Sequence, residues 1–205
     1  MPTHRIRARA PRGARGPLSV VRDPDLLRSH LEDAAHFAGG HTTELVAPST
    51  EAEVADALRT ATAVLPIGAQ SSLTGGATPF GERLLSMTRF GEVRAMADTS
   101  VAVGVGVTLA ELDQQLETVG RSYPPGPTFA GATIGGIVST NAAGADTFKY
   151  GATRSWVEGL TVVLASGDVL DLERGAITAH PEGFFELVLE RGTTRVPVPS
   201  YPMPA

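Results

Sequence analysis

Small and hydroxyl-bearing residues are concentrated in one stretch of the chain, PIGAQSSLTGGATP, from Pro66 to Pro79. It follows a short apolar run, Val64 to Ile67, that is typical of a strand. Glycines let the backbone approach a ligand closely, and consecutive N–H groups in such a loop form a concave anion site to which hydroxyls add donors. The stretch therefore predicts a loop that fits a diphosphate, although Gly, Ser and Thr also mark ordinary turns.

Other motifs explain this stretch less well. No Gly-Lys-Ser/Thr follows, as a P-loop would require, and no Gly-x-Ser-x-Gly marks a hydrolase nucleophile. A competing Rossmann interpretation comes from Gly104-x-Gly106, which lies between a strand-like and a helix-like segment. There the third glycine position is Leu109, and no acidic residue has a clear place for binding ribose. That interpretation stays open as the weaker one.

A second stretch of similar character, PPGPTFAGATIGGIVSTNAAG, runs from Pro124 to Gly144. Its Thr133-Ile134-Gly135-Gly136 places a hydroxyl beside bare backbone, and the apolar positions that follow predict a helix whose exposed N–H groups attract a phosphate. A long segment of weak periodicity in a compact domain usually forms a functional loop. The second stretch therefore also suggests an anionic ligand.

Composition excludes several other classes of function. The 205-residue chain carries a net charge of -5, which disfavours nucleic acid as a partner. It has no cysteine, so it forms no disulfide and no thiolate site, which fits a reducing compartment such as the cytoplasm. Its five histidines lack metal-ligand spacing, and its apolar runs fall far short of the roughly 20 residues of a membrane span. We expect no metal site and no membrane span.

Helices and hairpins around short strands predict an α+β fold. Thr50 with Glu53, and Thr108 with Glu111, are capping-box signatures that predict two amphipathic helices. Leucines and alanines at helical spacing predict another helix over residues 25–35. Apolar runs around turn residues predict two hairpins, over residues 159–172 and 184–198. Trp156 has apolar neighbours and is expected in the core.

The first 24 residues differ in composition from the rest. Residues 1–22 carry six arginines, no acidic residue, and prolines at positions 2, 11 and 17. This content predicts a disordered basic tail over residues 1–24. Residues 25–205 are then expected to form one domain, since single domains of roughly 100 to 200 residues are ordinary.

Together, the two glycine-rich stretches closely resemble the FAD-binding domain of the vanillyl-alcohol oxidase and p-cresol methylhydroxylase (PCMH-type) family. Within that family they look most like the branch that contains glycolate oxidase and the D-lactate dehydrogenases. The resemblance includes VAVGVGVTLAEL and YGATRSWVEGLTVVLASGDVL, and it spans residues 44–172. It implies an α+β fold in which two α/β subdomains grip an extended FAD.

The resemblance also implies which residues contact FAD. Those implied for the pyrophosphate are Pro66, Gly68, Ala69, Gln70, Ser71, Ser72, Leu73, Gly75 and Gly76. Those implied for the ribose and isoalloxazine side are Thr133, Gly135, Gly136, Ser139, Thr140, Asn141 and Gly144, with Tyr150 and Gly151 beyond them. Where flavin-tethering members carry a histidine this chain has Ser71, so the resemblance implies non-covalent FAD.

Two departures from the family pattern stand out. Many members show three successive glycines where this chain has Gly68-Ala69-Gln70, so its backbone is less free there. In the family, the FAD domain also continues beyond the point reached by this chain, into further strands and a cap domain that holds the substrate and the catalytic residues. We therefore expect an incomplete domain, in which no catalytic residue can be assigned.

The function implied is flavin-mediated oxidation of a 2-hydroxy acid such as D-lactate or glycolate, or of a related alcohol. Hydride passes from the substrate carbon to the flavin while a base takes the hydroxyl proton. Three alternatives remain: a non-catalytic flavin-binding subunit completed by a partner subunit, another enzyme on the same fold such as an enolpyruvyl reductase, and an inactive remnant that binds nothing.

Overall fold

The computed structural model describes residues 3–200, in which short strands alternate with short helices. The helices are α1 (Pro24–Leu27), α2 (Glu51–Arg59), α3 (Leu109–Glu117), α4 (Ile134–Ser139) and α5 (Thr147–Tyr150). The strands are β1 (Arg5–Arg7), β2 (Val20–Val21), β3 (Leu45–Val46), β4 (Val64–Ile67), β5 (Arg83–Ser86), β6 (Val93–Met96), β7 (Val101–Val103), β8 (Gly159–Val163), β9 (Val169–Glu173), β10 (Phe184–Leu189) and β11 (Gly192–Pro197). The mixed α+β prediction is confirmed.

A four-stranded sheet in the order β2-β3-β5-β4 supports the first glycine-rich stretch. Its strands β3, β5 and β4 are parallel, and β2 runs antiparallel at the edge. Helix α2 packs on one face, where Val54 and Ala57 join Val46 and Leu85 in a buried cluster. Because β4 is parallel to its neighbour and enters the glycine-rich loop directly, the sheet fixes where that loop begins.

The predicted helices α2 and α3 are confirmed, and both are capped by threonine. At α3 the capping box is complete: the Thr108 side chain accepts from the Glu111 N–H, and Glu111 accepts from the Thr108 N–H. At α2 the Thr50 hydroxyl accepts from the Glu53 N–H, but the Glu53 carboxylate reaches one residue further back, to the Ser49 N–H. Each helix end thus satisfies donors that would otherwise be unpaired.

The second glycine-rich stretch lies against a separate layer. The antiparallel pair β6-β7 and helix α3 enclose a buried cluster of Val107, Leu112 and Leu116, against which Ile134 of α4 packs. The two predicted hairpins are also confirmed, as β8-β9 and β10-β11. All six residues of β11 are exposed.

The prediction of a disordered tail over residues 1–24 is wrong for the part that the structure describes. Strand β1 pairs in parallel with β10, and β2 joins the four-stranded sheet. Arginines of this segment meet acidic residues of the body: Arg5 lies 2.8 Å from Glu186, and Arg22 lies 2.8 Å from Glu44. Composition alone missed this order because the charge partners lie far away in the sequence.

Arg9 is the most strongly held residue of this N-terminal segment. Its guanidinium donates two hydrogen bonds to Glu51 on α2, at 2.6 and 3.0 Å, and two to Asp171 on β9, at 2.5 and 3.0 Å. Its backbone also exchanges two hydrogen bonds with Val169. Arg9 therefore ties the N-terminal segment to a helix and to a hairpin at once.

Two further predictions need correction. The helix expected over residues 25–35 is only α1 followed by a 3-10 turn, Arg28–His30, because the backbone at Asp33 and Ala34 bonds to Thr78 and Gln70 instead of continuing the helix. Trp156 is not in the core, since 44% of it is exposed. Its Nε1 donates to the Tyr150 carbonyl at 2.9 Å. The apolar neighbours of Trp156 are themselves partly exposed, so their apolar character did not indicate a buried position.

Candidate cofactor-binding site

The loop after β4 presents a row of unpaired backbone donors. Within residues 3–200, none of the N–H groups of residues 69–73 donates a hydrogen bond. Ser71 and Ser72 are half-buried, while Leu73 and Thr74 are exposed. The Ser72 hydroxyl lies 2.9 Å from that of Thr74 and accepts from the Thr74 N–H at 3.2 Å. Five consecutive free donors with hydroxyls beside them form a suitable site for a doubly charged anion.

Gln70 combines an uncommon backbone conformation with an inward-pointing side chain. Its φ of 48° lies in the left-handed region, which Gly favours and Gln rarely adopts. The side chain turns inward, where Nε2 donates to the Ala77 carbonyl at 2.8 Å and the His30 carbonyl at 3.0 Å. The side-chain amide of Gln70 thus lies beneath the loop. Only the backbone N–H of Gln70 is left to bind an anion.

Asp33 is a site residue that the sequence prediction missed. It is buried, and its carboxylate accepts from the N–H of Ala35 at 3.1 Å and of Ala77 at 3.3 Å. Its own N–H donates to the Thr78 hydroxyl at 3.2 Å. Asp33 therefore anchors the far end of the loop. Aspartate is rarely buried, and this burial marks its role, but burial is not visible in the sequence.

The two glycine-rich stretches meet, as predicted. Thr133, at the start of α4, is buried with its side chain against Gly68. A Cβ atom at position 68 would lie closer than 3.0 Å to the Thr133 hydroxyl oxygen, a separation that real side chains do not show. Glycine at position 68 is thus required by the approach of Thr133, and the base of the first loop lies beside the start of the second.

The expectation of free N–H groups at the start of α4 is wrong. The Ile134 N–H donates to the Val107 carbonyl and the Gly135 N–H to the Val105 carbonyl, both at 2.8 Å, and the Gly136 N–H donates to the Thr133 hydroxyl. The segment before α3 lies across the start of α4, and its carbonyls accept hydrogen bonds from these N–H groups. Gly135 permits this approach, because a Cβ there would lie 2.8 Å from that of Val105.

Two hydroxyls of α4 face outward. Ser139 donates to the Gly135 carbonyl at 2.7 Å, and Thr140 donates to the Gly136 carbonyl at 2.8 Å. Both residues are exposed and keep free acceptor lone pairs. The second stretch therefore offers hydroxyl acceptors to a ligand rather than backbone donors.

The remaining predicted residues serve the turn after α4. Asn141, with φ of 49°, accepts from the Arg154 N–H at 2.8 Å through its side chain. Gly144 lies against the backbone of Gly126, and its N–H donates to Thr147. The Tyr150 hydroxyl accepts from Lys149 at 2.8 Å. The structure ties these residues to the turn and does not show them joined to the first loop; Gly151 ends α5 with φ of 78°.

Thr153 organises this turn and was also missed. It is buried; its hydroxyl donates to the Ala142 carbonyl at 2.8 Å and accepts from the Tyr123 hydroxyl at 3.0 Å. Burial raises the pKa of Tyr123, whose phenol therefore stays protonated as the donor. A threonine amid Gly, Ala and Ser gives no sequence signal for such a role.

A family model described as an FAD binding domain matches residues 43–173, the segment that contains both glycine-rich stretches. The chain belongs to this PCMH-type FAD-binding family. FAD is the cofactor of the family, and the predicted resemblance is confirmed. The chain's unpaired donors at residues 69–73 fit a dinucleotide diphosphate.

The chain is similar to several curated 2-hydroxy acid enzymes. It is 39% identical over 134 residues to a D-lactate dehydrogenase of Archaeoglobus fulgidus, which covers 62% of this chain and 30% of the relative. It is 34% identical over 171 residues to a D-2-hydroxyglutarate dehydrogenase of Stutzerimonas stutzeri, covering 78% of the chain and 36% of the relative. The chain thus spans about a third of the length of these relatives.

Solved structures with little sequence identity share the fold. The 6-hydroxy-D-nicotine oxidase of Arthrobacter nicotinovorans matches 91% of the chain and 43% of its own length, with a TM-score of 0.67 at 19% identity. An alkyldihydroxyacetonephosphate synthase matches 78% of the chain and 33% of its own length, with a TM-score of 0.68 at 22% identity. The first of these matches also takes in residues outside 43–173, because it covers more of the chain than that segment.

Proposed function

We propose that this chain is the FAD-binding portion of a flavin-dependent oxidoreductase that oxidises a 2-hydroxy acid of the D-lactate or glycolate type. The observation that carries the proposal is the row of five unpaired N–H groups at residues 69–73, on a loop whose base touches Thr133. The names of the relatives support the hydroxy acid class. The absence of cysteine fits the cytoplasm, where we place the protein.

Each part of the site has a role in this proposal. The backbone of residues 69–73 binds the diphosphate, with Ser71 and Ser72 adding hydroxyl donors. The exposed hydroxyls of Ser139 and Thr140 accept hydrogen bonds from the ribose or flavin side. Because position 71 is serine, FAD is held without a covalent bond.

When bound, FAD supplies the hydride acceptor, and the chain's own residues supply binding and orientation. The loop donors offset the charge of the diphosphate, and the Gly68–Thr133 contact sets the distance between the two halves of the site. We assign no general base among these residues, and we propose that a second polypeptide supplies proton removal from the substrate.

FAD titration of the purified chain tests the proposal. We expect quenching of flavin fluorescence at a stoichiometry of one, and complete release of the flavin on acid precipitation, since nothing tethers it. A protein that stays colourless and does not quench added FAD would favour the inactive remnant. Flavin that stays with the precipitate would disprove non-covalent binding.

A partner subunit is the second candidate, and a specific surface favours it. Phe148 is fully exposed, and Trp156 and Leu160 are 44% and 41% exposed. Within residues 3–200, β8 pairs with β9 alone, so its other edge is open. Leu160 lies on β8 itself, and an exposed apolar side chain on a strand with an open edge is typical of a surface that another strand covers. We propose that this face contacts the polypeptide that carries the substrate-binding part.

Activity and assembly separate these possibilities. We expect no turnover of D-lactate or glycolate by the pure chain with FAD and an artificial electron acceptor, because we assign the general base to a second polypeptide. Under mild purification we expect the chain to elute with a second polypeptide. The Leu160→Glu variant should lose that polypeptide while binding FAD as before. Robust turnover by the chain alone would contradict the need for a partner.

No helix among residues 3–200 is long and apolar enough to cross a membrane.

A further inference from the structure

We propose that Gln70, assisted by Asp33, is a positioning residue that holds the diphosphate loop in its binding shape before FAD arrives. This inference rests on the proposed function, because it takes the loop at residues 69–73 as the FAD site. It gives Gln70 a role that differs from direct contact with the cofactor.

The hydrogen bonds of the Gln70 side chain to His30 and Ala77 support the loop, and we call them the brace. The side-chain amide makes three inward hydrogen bonds: Nε2 donates to the carbonyls of His30 and Ala77, and Oε1 lies 3.1 Å from Nδ1 of His30. Since Nε2 already faces two carbonyls, Oε1 is the acceptor and the His30 ring donates. The Gln70 side chain thereby connects the start of the loop to its end at Ala77 and to the 3-10 turn Arg28–His30.

Asp33 completes the brace from the other side. Its carboxylate accepts from the Ala77 N–H, and the Gln70 side chain donates to the Ala77 carbonyl. Both backbone polar groups of Ala77 are therefore hydrogen-bonded. The Ala34 N–H donates to the Gln70 carbonyl at 3.0 Å. Both ends of the loop are thus fixed to residues 30–35, while residues 71–76 between them stay open.

Fixing both ends has a consequence for affinity. Five adjacent N–H groups repel one another electrostatically when no anion is present, so the loop needs a scaffold to keep them pointing together. A preformed loop avoids the ordering cost that a flexible loop pays on binding. The left-handed backbone at Gln70 is uncommon for a side chain of this size, and strain of this kind persists where surrounding bonds enforce it.

Gln70→Met removes all three hydrogen bonds and keeps the size of the side chain. We expect the dissociation constant of FAD to rise about tenfold or more, with the same stoichiometry and the same absorption spectrum of bound flavin at saturation. Hydrogen exchange of the apo protein should show faster exchange at Ala34 and Ala77. Gln114→Met is the matched control, because Gln114 is exposed on α3.

A second variant covers the case in which Gln70→Met does not fold. Gln70→Gly suits the left-handed backbone and also removes the brace, so it should fold and still bind FAD more weakly than wild type. Asp33→Asn keeps only one of the two acceptor oxygens that hold Ala35 and Ala77, so it should also weaken binding, whereas Asp98→Asn, at an exposed position, should not.

The outcomes separate this inference from the proposed function. If the wild-type chain does not bind FAD, the proposed function fails, whatever the exchange data show. If wild type binds FAD and Gln70→Gly binds it equally tightly, the brace has no role in cofactor binding and the inference is overturned. A changed flavin spectrum at saturation in Gln70→Met would overturn it as well, since that result indicates direct contact.

Discussion

Gly68→Ala should lose FAD binding and destabilise the protein. The added methyl group would lie closer than 3.0 Å to the Thr133 hydroxyl oxygen, and Thr133 is buried and cannot move away freely. Forcing extra volume into a packed contact typically costs about 1–3 kcal/mol. Separation of the two halves of the site should raise the dissociation constant of FAD at least about tenfold. Thermal unfolding and flavin fluorescence titration measure the two effects.

A double-mutant cycle identifies the cause of the Gly68→Ala effect. Thr133→Ala removes the clashing oxygen, and the nearest remaining atom is then the β-carbon, 3.2 Å away. We expect Gly68→Ala/Thr133→Ala to be more stable than the sum of the two single effects predicts. Gly91→Ala is the control, because a methyl group there meets nothing closer than 3.6 Å. Strict additivity in the cycle would show that the clash is not the cause.

Arg9→Met should release the N-terminal segment from the body of the protein. The variant keeps the aliphatic stem but removes four hydrogen bonds to Glu51 and Asp171. The Arg9 side chain is 22% exposed, which places it between a surface pair and a buried one, so we expect a loss of about 2 kcal/mol. Arg12→Met should cost under about 0.5 kcal/mol, because Arg12 is 72% exposed and only 4.0 Å from Asp171. Urea denaturation gives both values.

The same variant should change how stability depends on pH. Hydrogen bonds from Arg9 lower the pKa of Glu51 below 4.5 and that of Asp171 below 3.8. A lowered carboxyl pKa stabilises the folded state above the ordinary pKa, and this stabilisation is lost as pH falls through the lowered values. The difference in unfolding free energy between wild type and Arg9→Met should therefore shrink from pH 7 to pH 3. A difference that is constant over this range would show that the carboxylates do not contribute.

Short sequence motifs predicted the helices and the hairpin that are stabilised by hydrogen bonds between nearby residues. Helices α2 and α3 follow from a threonine that caps its own helix, and the β8-β9 hairpin follows from turn residues between two apolar runs. The position of the glycine-rich loop after β4 was likewise predictable, because Gly, Ser and Thr follow a strand directly. Its contact with the second stretch was predicted from the resemblance to a family.

The structural features that the sequence did not predict depend on hydrogen bonds and ion pairs between residues far apart in the chain. The N-terminal arginines find their acids up to 181 residues away, so composition suggested disorder where there are strands. The donors of α4 are taken by Val105 and Val107, which no pattern around Thr133 reveals. Asp33 has the character of a surface residue in the sequence, and no local pattern places the Gln70 side chain against the carbonyls of His30 and Ala77.

The parallel pairing of β1 with β10 has a consequence for the order in which the protein folds. Arg5 lies opposite Glu186, so everything between these two residues must leave the ribosome before the first strand meets its partner. Closing so long a loop is slow. Until β10 has been synthesised, β1 has no strand to pair with, so this parallel contact forms late in folding, after Arg9 and β2 can already meet Glu51 and β3.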